Sequence, residues 1–64
     1  MATRFLHLRS VIDRTSLSRS TIYRLMARAR FPDSVPLGGR VAWVEAEIEA
    51  WVLDRIAAHR GAPV

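Results

Sequence analysis

Residues 17–26 read Leu-Ser-Arg-Ser-Thr-Ile-Tyr-Arg-Leu-Met, and this stretch decides the fold. Ser18 is a strong helix N-cap, able to accept from the amide of Ser20 or Thr21. Leu17 before it and Ile22 four residues after it form a hydrophobic staple, which fixes how a chain enters a helix. From there Ile22, Leu25, Met26 and Ala29 recur at helical spacing and make one apolar face. At about 100° per residue, Ser20, Thr21, Arg24, Ala27 and Arg28 fall on the opposite side, with Arg19 and Tyr23 flanking. The pattern predicts a helix over about 18–30. It stops at Phe31-Pro32, because a residue preceding proline avoids the α region.

Upstream, Ser10 and Asp13 have capping-box spacing, and Leu8, Val11, Ile12 and Thr15 share one helical face. A short first helix over about 10–15 is expected, with Phe5, Leu6 and Leu8 lying extended across the core. Thr15-Ser16-Leu17 then links it to the second helix. Downstream, Val35-Pro36-Leu37 and Arg40-Val41-Ala42 flank Gly38-Gly39, the signature of a tight hairpin over about 35–42. Pro36 has no amide to give to a ladder, so its strand must lie at an edge. A third helix over about 44–60 carries Glu45, Glu47 and Glu49 near its start and Arg55, His59 and Arg60 near its end, each sign matching the helix dipole. Gly61 and Pro63 mark its stop. Val44, Ile48, Trp51, Val52 and Ile56 share the face that closes the core. The fold class expected is α+β, mainly α: a winged helix-turn-helix of three helices with a two-stranded wing.

Sixty-four residues allow one small domain, spanning 1–64. Half are hydrophobic and a quarter charged, which suits a folded domain rather than a disordered tail. Without cysteine there is no disulfide framework and no thiolate metal site. No apolar run approaches a membrane span and the start MATRFLHLRS has no signal-peptide core, so a cytoplasmic, nucleoid-associated protein is expected, with no membrane partner. The net charge of +4 is uneven. Residues 1–32 hold seven arginines against Asp13, while residues 33–64 hold three arginines against five acids. A basic half joined to a mildly acidic one points to a surface that faces a polyanion.

Geometry turns that charge into chemistry. A helix N-terminus entering a major groove brings short polar side chains to base edges and its unbonded amides to phosphates. Ser20 and Thr21 are short enough for close approach, and Arg24 can grip guanine O6 and N7 in a bidentate pair. Arg28 lies a turn further along, toward a phosphate, and Tyr23 can donate its hydroxyl to the backbone. Arg40, at the hairpin tip, is in reach of adjacent phosphates or the minor groove. Blander roles stand beside these: Tyr23 can cover the core edge, and Arg40 can solubilise the tip. Trp43 and Trp51 sit in core pattern rather than as a base-stacking platform, and His7 and His59 have no companions at metal-ligand spacing. Nothing has the pattern of a catalytic site. On the third helix Ala46, Ala50, Leu53 and Ala57 make a second stripe, a possible interface for another copy or a protein partner.

The ordered set LSRSTIYRLM (17–26), FP (31–32), LGGR (37–40) and WVEAEIEAW (43–51) resembles the AlpA-type phage and prophage regulators, within the wider group of MerR-like and excisionase-like winged-helix domains. The resemblance runs from about Arg4 to Ile56. It implies a sequence-specific double-stranded-DNA-binding regulator of prophage or integrated-element genes; separately, the chain's own residues give no reason to expect a cofactor or a small-molecule ligand. It also implies that the polar face from Arg19 is the recognition surface and that Arg40 lies in the wing. Two other roles are left open: an excisionase bending attachment-site DNA, and a protein-interaction adaptor working through the third helix. The family turn often carries glycine where this chain has Ser16. If that position needs a positive φ, serine adopts it at a cost of about 1 kcal/mol.

Overall fold

Beginning at the second helix, the structure, a computed structural model, describes residues 3–61 and bears out the staple and the cap. Helix α2 spans Arg19–Ala27, its Ser18 hydroxyl accepting from the Thr21 amide at 3.2 Å. Ile22 is fully buried, and Leu17, Leu25 and Met26 pack around it. The end of α2 differs from expectation. It closes three residues early, in a Schellman motif: the Arg30 amide donates to the Leu25 carbonyl and the Ala29 amide to that of Met26. Ala29 takes the left-handed position of this motif at φ 56°, where glycine is usual. The proline rule marked the outer limit of the helix, and the backbone turned before reaching it.

Strand β1 (Phe5–His7) leads into helix α1 (Leu8–Thr15). The capping box expected from Ser10 and Asp13 is replaced by an earlier start, in which His7 Nδ1 accepts from the Ser10 amide at 3.4 Å. Val11 is fully buried while Leu8 and Ile12 are half-buried, as the helical spacing required. Ser16 ends α1 at φ 61°, ψ 17°, so the turn does demand the left-handed region.

Strands β2 (Val35–Leu37) and β3 (Arg40–Val44) form the hairpin. Leu37 pairs with Arg40 across Gly38 (φ 55°) and Gly39 (φ 88°), the two positive values that a type I′ turn requires. The two-stranded wing is present as expected, and the sheet gains a third strand that was not: β1 also pairs antiparallel with β3, Leu6 opposite Trp43. The sheet is three-stranded in the order β1-β3-β2, and Pro36 lies in an edge strand. Helix α3 (Glu45–His59) follows directly. Pro63 lies outside the described residues. The core joins Leu6, Val11, Ile22, Phe31, Trp43 and Ile48. Ile56, placed in the core by periodicity, is 42% exposed, and Trp51 and Val52 are the last α3 residues packed against the core cluster. Three helices and this small sheet make a mainly helical α+β fold, consistent with a winged helix-turn-helix. Among the described residues, no helix is long and apolar enough to cross a membrane.

Candidate nucleic-acid interface

The α1–α2 turn orients everything that follows, and a hydroxyl fixes it. Thr15 Oγ1 donates to the Val11 carbonyl at 2.8 Å and accepts from the Leu17 amide at 3.3 Å. One side chain thus ties a carbonyl inside the first helix to an amide at the approach to the next. Sequence reasoning gave Thr15 a place on the apolar face and in the link, but no bonding role. Its signal was a Thr closing a helix before a short link, where such a hydroxyl competes for backbone groups.

On α2 the buried side is filled by Ile22; Arg19, Ser20 and Arg24 are exposed, and so is Arg28 at the C-cap. Thr21, half-buried, is the hub of a small polar network. Its Oγ1 accepts from the Ser18 hydroxyl at 3.0 Å and from the Arg24 guanidinium at 3.4 Å. The Arg24 contact is also an i, i+3 pair that keeps the guanidinium close to the first turn of the helix.

Tyr23 covers the edge of the core. Its ring packs edge-on against Trp43 with centroids 6.4 Å apart, yet the residue remains 38% exposed. The Arg19 guanidinium lies 5.8 Å from the same ring, a cation–π distance. Through Tyr23 the second helix is therefore tied to β3, the strand that begins at Arg40. Arg40 stands three residues before Trp43, about 10 Å along an extended strand. No atom lies within 4 Å of where a Cβ would stand on Gly38 or Gly39, so the tip beside Arg40 is open to close approach.

The link from α2 to the wing is held by both tryptophans. Trp51 donates its indole N–H to the Arg30 carbonyl at 2.9 Å, and Trp43 donates to that of Pro32 at 3.1 Å. Phe31 lies between these two bonds and meets Trp51 edge-on at 4.8 Å. Sequence placed both indoles in the core pattern but gave no sign of their shared task.

Electrostatics divide the arginines. Arg14 pairs with Glu45 at 2.8 Å and with Glu49 at 3.4 Å, the ion pairs found among the described residues. Its charge is turned toward α3, whereas Arg19, Arg24, Arg28 and Arg40 make no such pair there. Ala46, Ala50 and Leu53 are exposed on α3 and Ala57 is half-buried, with Leu53 at 61%. No group of three His, Cys, Asp or Glu residues among those described is placed to hold a metal.

A family model described as prophage CP4-57 regulatory protein (AlpA) matches residues 4–56, most of the chain. The chain belongs to the AlpA family. An Escherichia coli K12 relative described as the DNA-binding transcriptional activator AlpA is 39% identical over 61 residues, covering 84% of this chain and 87% of that protein. A protein of Enterobacteria phage P4, described as uncharacterized protein ORF88, is 47% identical over 58 residues. That match covers 89% of this AlpA-family chain and 66% of the phage protein's length. No solved structure matches significantly. The family is one of regulators, which is not an enzyme class.

Proposed function

We propose that this AlpA-family chain binds double-stranded DNA sequence-specifically and regulates transcription of prophage or integrated-element genes, with α2 lying in the major groove. The observation that carries the reading is the outward side of α2 and its C-cap, where Arg19, Ser20, Arg24 and Arg28 are exposed and committed to no acid, while Glu45 and Glu49 hold Arg14. In this reading Ser20 and Thr21 meet base edges, and Arg24 reads guanine through O6 and N7. Arg19, Tyr23 and Arg28 contact backbone phosphates, and these contacts set register rather than sequence. Arg40 extends the contact from the wing. The DNA-binding activator named among the relatives supports a regulatory role over an excisionase one.

Methylation interference tests the placement. With a duplex selected from a random library, methylating guanine N7 at one or two positions should abolish binding, because N7 faces the major groove and is one of the atoms Arg24 grips. Arg24→Ala should remove that sensitivity. Binding indifferent to every N7 methylation, or sensitive in the same way without Arg24, overturns this assignment.

A further inference from the structure

The largest exposed apolar surface on α3 is at its C-terminal half, where Leu53 is 61% and Ile56 42% exposed. Ile56 also lines an apolar groove of about 240 Å³ together with Leu17, Trp51 and Val52. Two charges bracket the pair on the same side: Glu49 one turn before Leu53, still 57% exposed at its side chain beside the 3.4 Å contact with Arg14, and Arg60 one turn after Ile56, also exposed. At about 100° per residue the four side chains fall within a wedge of about 60°. Their spacings of four, three and four residues are those of a helix-pairing seam. The seam reads acid, apolar, apolar, base, so it is complementary to itself when reversed.

We propose that the α3 seam binds a second copy of this chain, in an antiparallel two-fold pair. Leu53 of one copy faces Ile56 of the other, and Glu49 faces Arg60 at each end. In a two-fold interface every contact occurs twice, so the same two ion pairs that attract in the antiparallel sense become like-charge contacts if the helices run parallel. The seam takes Leu53 from the small-residue stripe seen in the sequence and moves its centre to Ile56, away from Ala46 and Ala50. A single helix pair buries less than the roughly 1,200 Å² of a standard interface, so the dimer is weak, with a dissociation constant of about 0.1–1 mM.

Sedimentation equilibrium up to about 1 mM protein, without DNA, tests this independently of the DNA reading. The wild type should rise above its 7.2 kDa monomer mass, and Leu53→Arg should remain monomeric with an unchanged circular dichroism spectrum. Glu49→Arg alone and Arg60→Glu alone should each weaken self-association about tenfold or more, through like charges at both ends of the seam. Mixing those two variants should restore it, since each then meets its complement twice. A wild type that stays monomeric, or a mixture no more associated than either variant alone, overturns the proposal and leaves the face to a different protein.

Discussion

Trp51 of α3 donates its indole N–H to the carbonyl oxygen of Arg30 at 2.9 Å, so the end of α2 is anchored by the helix farthest from it in sequence. This bond and that from Trp43 to Pro32 hold the link that sets α2 against the wing. Trp51→Phe keeps a ring beside Phe31 but leaves the Arg30 carbonyl without its donor. The expected loss is about 1 kcal/mol, the net value of such a bond, read from urea unfolding. An unchanged midpoint would show that the indole N–H contributes nothing.

Among the described residues, two L-residues occupy left-handed backbone: Ser16 at φ 61° and Ala29 at φ 56°. Glycine removes the Cβ conflict there, at the expense of a more disordered unfolded chain. Ser16→Gly and Ala29→Gly should each raise stability by about 0.5–1 kcal/mol. The same change in the middle of α3, Ala50→Gly, should lower it by about 1 kcal/mol. Thermal unfolding of the three variants checks the contrast, which fails if all three shift in one direction.

Ser18 separates stability from binding. Ser18→Ala removes the cap of α2 and should lower stability by about 1 kcal/mol. Ser18→Asp keeps an acceptor for the Thr21 amide and favours the helix dipole, so the fold should hold. It also sets a negative charge at the helix end proposed to meet phosphates. Unfolding and DNA titration of this variant should therefore diverge, with near-native stability and weakened binding. Native affinity for DNA would place the start of α2 away from the duplex.

How much was legible depends on the range of the interaction. The start of α2 is encoded by Leu17, Ser18 and Ile22 within one turn, and the hairpin by Gly38-Gly39, so both were readable locally. Strand β1 was not, because three residues become a strand only by pairing with β3 far along the chain, Leu6 against Trp43. The cap at His7 was hidden behind a better-looking serine at Ser10. Ala29 carried no glycine to announce the Schellman turn. Periodicity put Ile56 in the core because it reports which side of a helix faces inward, not how far the core extends beneath it. At the candidate site the exposure of Arg19, Ser20 and Arg24 was legible from their helical face. The removal of Arg14 by Glu45 and Glu49 was not, since 31 and 35 residues separate the partners.

The central claim is that the exposed side of α2 reads DNA, and fluorescence anisotropy tests it most directly. Wild type and Arg24→Ala are titrated with a selected duplex and a scrambled one across a salt series. With about four to six phosphates neutralised, the wild-type log–log salt slope should fall near −4 to −5. Arg24→Ala should lose about 1–3 kcal/mol on the selected duplex and far less on the scrambled one. Failure of the wild type to bind any duplex at low salt, or an equal loss on both duplexes, would contradict the account.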